Sequence, residues 1–482
     1  MIAWIGGLVV GGTILAYIIV GLVYAKRVKT PEDFFTAGGK LGIWPLVGTY
    51  VATYLSAVTV MGIPSGIYLR GFSFLWLPMF WSIGAVGTVI IAMRYKRLHY
   101  STPADFFKHR YQSEFLVQLN SYVSVIALTF GLVAQFTAMG IVWSVALGGT
   151  YQLGVIVASV SILIIVAAGG LVSVAYSDIA KAIIFTTASI LAAGYMVING
   201  PSIREVAGMA FARAPELGDL TLGLGGPIGV FFLFLTWCFG VASHPQYLVR
   251  ISAAVNEKVA LRQYLYSWPI LAVINLTFVV FGLWGAGFNP DLPLGYARDH
   301  IGAIVVLQYT PTALYALFLA GLTAAALSTT DSVIQLCASY LTNNVIKGSL
   351  KPDISDDALL KISRYFSVGL VIFVAIIASY RWGWITYIAA YAWGLLAILY
   401  FAPTVWGLYS KRANTLAATV SVVGGLATFL IAQTLSLLGR WPFGLEGPPV
   451  GVGVLAGVLL MAIFTYTGKP PKPEQVSRFF KL

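Results

Sequence analysis

Thirteen predominantly apolar runs follow one another along 482 residues, with mostly short connections between them. A run of this kind leaves no polar face for water. In a bilayer, about 20 such residues wound into a helix satisfy their whole backbone internally, which makes the membrane helix their natural form. The runs fall near 2–24, 43–69, 73–93, 115–147, 153–173, 176–198, 227–249, 265–288, 311–345, 365–380, 384–409, 414–437 and 449–466. They predict an all-α polytopic protein of 13 transmembrane helices in a single transmembrane domain. With only 10% of residues charged, little of the chain is left over for a soluble domain.

The net charge is +12, and its placement decides what it means. Lys26/Arg27/Lys29, Arg94/Lys96/Arg97 and Lys411/Arg412 each follow an apolar run, as inward flanks of membrane helices do. Of the 29 Lys and Arg, 22 fall in alternate connections and the C-terminal tail, and Lys181 lies within a run. That asymmetry predicts a multi-pass protein of the inner (cytoplasmic) membrane, with the N-terminus outside and the C-terminus in the cytoplasm. Lipid is then the surrounding medium, and with no basic soluble domain a nucleic-acid partner is excluded. Nothing points to an obligate protein partner. The first run, Ile2–Tyr24, is too long for a signal-peptide core and its basic flank follows it, so it reads as a retained span. No GxxxxGK[ST] loop, metal cluster or nucleophile–base pair occurs, which argues against a nucleotide-driven pump and against an enzyme. Cys238 and Cys337 lie in apolar runs and carry no redox information. KPDISDDALLK, in the connection 346–364, reads as a short surface helix. The tail GKPPKPEQVSRFFKL reads as a solvated end on the inner membrane surface.

Two runs contain helix breakers, MGIPSG (Met61–Gly66) and Gly240–Pro245 in CFGVASHP. Proline removes a donor, glycine tolerates unusual torsions, and unwound backbone at membrane depth survives only beside a cavity or within protein. The breaks lie five runs apart, the spacing expected of inverted repeats. Residues 43–198 and 227–409 then form the repeats, with 2–24 and 414–466 peripheral.

The apolar runs hold two acids, Asp178 and Asp331. Asp331 lies in AAALSTTDS (Ala324–Ser332), where Ser328, Asp331 and Ser332 share one helix face and the Ala325 carbonyl points the same way. A carboxylate at mid-membrane costs about 2.5–3.5 kcal/mol on insertion scales unless it is compensated. Small hydroxyls beside it suit a hard cation, sodium above all. Asp178 has Lys181 one turn on. The two form either a buried ion pair with a snorkelling lysine, or part of a cation site facing Asp331, Ser328 and Ser332. Ala52 and Leu55 precede the first break, and unwinding there would free their carbonyls as ligands. Thr53, Tyr54, Gln135, Trp237 and Asn275 are the polar or amphipathic groups available to line a solute path, and His244 is available as a proton carrier. Most of the 13 tryptophans and 26 tyrosines suit the membrane interfaces.

Four stretches resemble the sodium:solute symporter family. GGLVSVAYSD (Gly169–Asp178) is similar to its GGLxAVxxTDxxQ motif, and ASHPQYLVRISAAVNEKVALR (Ala242–Arg262) to its PQxxxRxxAAKSxKxAxR segment. AAALSTTDS resembles its AAxMSTxDS, and VATYLSAVTVMGIPSGIY (Val51–Tyr68) its first core helix. TPEDFFTAGGKLG and STPADFFKHRY fit its cytoplasmic linkers. The resemblance implies a LeuT-type five-plus-five inverted repeat with one extra N-terminal and two extra C-terminal helices. It implies Na+ held by the carbonyls of Ala52, Leu55 and Ala325 with the hydroxyls of Ser328 and Thr329. Where members carry a second sodium site, its ligands fall on Asp178, Ser328, Asp331 and Ser332. Lys181 stands where the family usually has glutamine, and Asp331 replaces a serine, an acid being common there. The resemblance to the monocarboxylate, pantothenate and iodide-type branch implies sodium-coupled uptake of a small organic anion by alternating access. A proton-coupled carrier, or sodium symport of proline, a sugar or a vitamin, are the alternatives.

Overall fold

The computed structural model describes residues 2–25, 36–98, 100, 102–168, 171–289, 299–380, 385–441 and 449–480. The cluster Lys26/Arg27/Lys29, residues 30–35 of the first linker, Gly169–Gly170 and the segment 290–298 lie outside them. The described chain is helical almost throughout. Among the described residues, ten helical stretches are long and apolar enough to cross a membrane, and two shorter apolar ones run over Gly6–Ile19 and Tyr151–Ile164. One of the ten, Ile43–Leu98, takes in both the second and the third apolar run.

In chain order the elements that position the site are α1 (Ile2–Ala25), α2 (Ile43–Tyr54), α3 (Ala57–Arg70), α4 (Trp76–Tyr95), α5 (Ala104–Arg110), α6 (Glu114–Leu147), α7 (Tyr151–Ala168) and α8 (Leu171–Asn199). After a connection that carries the short helix α9 (Ile203–Arg213) come α10 (Gly226–Ser243), α11 (Pro245–Ala253) and α12 (Glu257–Phe288). Then follow α13 (Ile301–Tyr309), α14 (Thr312–Ser339), α15 (Asp356–Ala378), α16 (Ile385–Tyr409), α17 (Thr415–Leu437), α18 (Pro449–Thr467) and α19 (Pro473–Phe480). The centre of the molecule is α14. Every residue from Phe318 to Ser339 is buried, and the helix packs on α1, α2, α6, α8 and α15. A helix buried on all sides has no amphipathic stripe to show.

Of the two anticipated helix breaks the second exists, whereas the first does not form at MGIPSG and a break at Leu55–Ser56 takes its place. Met61–Gly66 is helical, with Pro64 inside α3. The chain leaves the helix at Leu55 (φ −75°, ψ 57°) and Ser56 (φ −83°, ψ 167°), six residues before MGIPSG. Gly66 serves packing instead, because a β-carbon there would overlap the Phe74 ring. The second break falls at His244 (ψ 128°), between α10 and α11. Its proline takes the first position of α11, where the missing N–H is harmless.

Two peripheral expectations change. KPDISDDALLK does not form a separate surface helix. A π-helical segment, Tyr340–Leu350, continues α14, and α15 starts at Asp356 with Ser355 as its cap and runs unbroken into the next apolar run. The tail is exposed over most of residues 469–474, but its end is docked. Phe479 is buried on α5, its ring centroid 5.8 Å from that of Phe106, and Arg110 and Lys411 lie over Phe479 and Phe480 respectively.

Replacing Gly66 by Ala forces the Phe74 ring to move, an overpacking penalty of about 1–3 kcal/mol. A lower apparent melting temperature in detergent is expected, partly recovered by adding Phe74→Ala. An unchanged melting temperature in Gly66→Ala would show that the helix does not need this close approach.

Candidate functional site

The break at Leu55–Ser56 creates the site. In an uninterrupted helix the Ala52 carbonyl would accept from the Ser56 N–H and the Leu55 carbonyl from the Thr59 N–H. Here Ser56 N–H donates to Tyr54 (2.8 Å) and Thr59 N–H to Ser56 (3.1 Å), so both carbonyls lose their helical donors. The Thr59 hydroxyl steadies the turn from Tyr54 (2.6 Å) and Ser56 (2.9 Å). Across the gap on α14, the Ser328 hydroxyl lies 3.0 Å from the Ala52 carbonyl and 2.9 Å from that of Ala325. One proton serves three oxygens in that group. The hydroxyl of Thr329, the next residue in the chain, is buried and makes no hydrogen bond. Three of the five residues assigned to a cation, Ala52, Ala325 and Ser328, thus meet, Thr329 follows Ser328 in the chain, and Leu55 sits at the break itself.

The charged pair of α8 is fully buried. Lys181 is 2% exposed, so it does not snorkel to an interface. Its Nζ lies 3.3 Å from Asp178 and 3.3 Å from Asp331. The other Asp178 oxygen accepts from the Thr49 hydroxyl at 2.7 Å. Thr49 Oγ1 in turn accepts from Arg250 Nε at 3.1 Å. Arg250, counted from the sequence among the basic residues of a connection, is a buried residue of α11. It also donates to the Gln246 carbonyl (2.9 Å), while the Gln246 amide donates to Ser332 (2.9 Å). A continuous polar chain therefore runs from Lys181 through Asp178, Thr49, Arg250 and Gln246 to Ser332. The ring of Tyr17, from α1, lies 5.4 Å from the Lys181 ammonium.

On the other side of the break, a cavity of about 380 Å³ lies between α2, α4, α10 and α12, lined among others by Tyr50, Tyr54, Trp81, Trp268 and Asn275. No charged side chain lines it. Tyr54 and Asn275 are joined by hydrogen bonds of 2.8 and 3.1 Å. Trp81, against Tyr54 (4.6 Å), extends into an aromatic cluster with Trp393 (4.9 Å) and Trp237 (5.5 Å). The indole N–H groups of Trp81, Trp237 and Trp268 are buried and make no hydrogen bond. Tyr54 and Asn275 are thus the solute-path candidates that line this cavity. Trp237 stands one ring behind, Thr53 turns its hydroxyl back to Thr49 (2.7 Å), and Gln135 is buried on α6 away from the cavity lining. His244 is buried against Trp393, their centroids 4.1 Å apart.

Sequence reading missed Thr49, Arg250, Gln246, Trp81, Trp393 and Tyr17. For the tryptophans the signal was misleading, since interfacial belts account for most of them. For Arg250 and Gln246, the PQxxxR segment was visible, but its burial was not.

Residues 34–425 match the model of the sodium:solute symporter family. The osmoregulated proline transporter OpuE of Bacillus subtilis (strain 168) is 23% identical over 95% of this chain and 94% of its own length. The sodium/pantothenate symporter of Escherichia coli (strain K12) is 25% identical over 88% of this chain and 90% of its own. Among solved structures, a Na+-coupled sialic acid symporter in a substrate-bound outward-open state superposes with a TM-score of 0.77 at 20% identity, covering 97% of this chain and 99% of the other. Mhp1, a nucleobase-cation-symport-1 family transporter, gives a TM-score of 0.52 at 13% identity. The fold is therefore that of these transporters, and the chain belongs to the sodium:solute symporter family.

Proposed function

We propose that this protein takes up a small organic carboxylate together with sodium by alternating access. The observation that carries the sodium part is the meeting of the Ala52 and Ala325 carbonyls at the Ser328 hydroxyl, next to a Thr329 hydroxyl without a partner. A sodium ion entering there gains oxygens from two helices at once, and Leu55 supplies another from the unwound turn. The ion and the solute share α2, because Ala52 lies two residues from the cavity-lining Tyr54. Ordering the turn for one ligand lowers the cost of ordering it for the other, which is a coupling free energy between the two sites.

The carboxylate part rests on chemistry common to the relatives. Proline, pantothenate and sialic acid, the solutes in the names of similar proteins, each bear one carboxylate, on an otherwise uncharged body in pantothenate and sialic acid and beside an ammonium in proline. Trp81 and Trp268, which line the cavity, offer unpartnered N–H donors beside an apolar wall. Neutral donors of this kind hold a carboxylate without the desolvation cost of a buried counter-ion. A monocarboxylate is our first choice, and proline or a vitamin fits the same description. Residues 43–198 and 227–409 act as the two inverted repeats, with the N-terminus outside and the C-terminus in the cytoplasm of the inner membrane.

Two outcomes are expected. In a thermal-shift screen of purified protein against organic acids, amino acids and sugars, a carboxylate raises the melting temperature in sodium and fails to do so in potassium. Equal stabilisation in both salts, or stabilisation driven by pH alone, would select a proton-coupled carrier. Ser328→Ala and Thr329→Ala each raise the sodium concentration for half-maximal effect about tenfold, the consequence of losing one oxygen contact of about 1.4 kcal/mol. Sodium dependence left unchanged in both variants removes these hydroxyls from the site.

A further inference from the structure

We infer that this chain carries its second cation covalently, as the Lys181 ammonium, and therefore moves one sodium per cycle. The inference rests on the sodium reading above and concerns only the number of ions. Lys181 stands where the pattern this sequence resembles has a neutral glutamine, and in space its ammonium touches Asp331, 3.3 Å away. The ammonium is equally close to Asp178. It stands where α8 and α14 bring their carboxylates together, which is the place a mobile cation bridging these helices would occupy.

Every charged group packed around this point enters the count. Asp178 and Asp331 contribute two negative charges, and Lys181 contributes one positive. Arg250, joined to Asp178 through Thr49, contributes the other positive charge. Tyr17 covers the ammonium with a neutral ring from α1, and Gln246 and Ser332 complete the chain with neutral groups. Two acids and two bases balance without any added ion. A sodium ion competing for the two carboxylates would have to evict an ammonium that is 2% exposed and tied to the backbone by its own stem. Such an exchange leaves that ammonium buried without its partners, a strongly unfavourable state. The Ala52–Ser328 group, with no fixed positive charge of its own, remains for the mobile ion. A monovalent carboxylate then crosses with one sodium without net charge movement, and a zwitterionic or neutral solute crosses with one positive charge.

The test counts ions. Purified full-length protein is titrated with radioactive sodium at saturation, as the wild type and as the Lys181→Gln and Asp331→Asn variants. One sodium per chain is expected for the wild type and for Asp331→Asn. Two are expected for Lys181→Gln, whose melting temperature should also come to depend more steeply on sodium than that of the wild type. Two ions in the wild type, or one in a folded Lys181→Gln protein, overturn the inference and leave sodium coupling intact. If Lys181→Gln fails to fold, the wild-type count decides alone, one ion supporting the inference and two rejecting it. No sodium bound to the wild type overturns the sodium reading itself and this inference with it.

Discussion

A carbonyl oxygen without a donor in the middle of a bilayer costs several kcal/mol, and nothing in lipid can relieve it. The turn at Leu55–Ser56 creates two such oxygens, and the rest of the core is arranged around them. The helix α14 supplies the Ser328 hydroxyl to one, and the Thr59 hydroxyl holds the turn open from the other side. The arrangement requires α14 to lie within hydrogen-bond reach of α2. The small residues of Ala324–Ala326 permit that approach, since bulkier side chains would hold the two backbones apart.

The buried charges obey the same economy of partners. An isolated ammonium or carboxylate in this environment is untenable, yet a lysine between two carboxylates, backed by an arginine through a threonine, forms a neutral set. Its worth for stability is modest, because desolvation offsets much of the attraction. On the one-sodium reading proposed above, its worth for mechanism is greater, because it takes the place of a second mobile ion. One sodium moving down a tenfold gradient contributes about 1.4 kcal/mol. A membrane potential of 100 mV adds about 2.3 kcal/mol only for a net charge that crosses. A one-sodium carrier of a monovalent anion therefore concentrates its solute about tenfold, and one of a neutral solute several hundredfold.

Much of this was legible in the chain itself. The apolar runs fall on helices, ten described stretches being long and apolar enough to cross a membrane, because a bilayer leaves a long apolar segment no other way to satisfy its backbone. AAALSTTDS announced its hydroxyls and its acid on one face because the helical period is local geometry. Ala52 and Leu55 read as carbonyls just ahead of a break at MGIPSG, but the break falls at Leu55 itself. Pro64 misled because neighbouring helices tolerate a proline inside a membrane helix, whereas the actual break falls in residues, Leu55 and Ser56, that have no breaker chemistry.

The amino-acid order by itself determined which segments become membrane helices, which of them carry oxygens and acids, and which family they join. These properties follow from composition and from the period of a single helix. Only the tertiary structure decided that Lys181 reaches Asp331 across 150 residues of sequence, that Arg250 is buried beside Thr49, and that Trp81 leaves the interface to join Tyr54. Each of these depends on how two helices cross. Crossing is set by side chains meeting between segments distant in the chain, which no local pattern records.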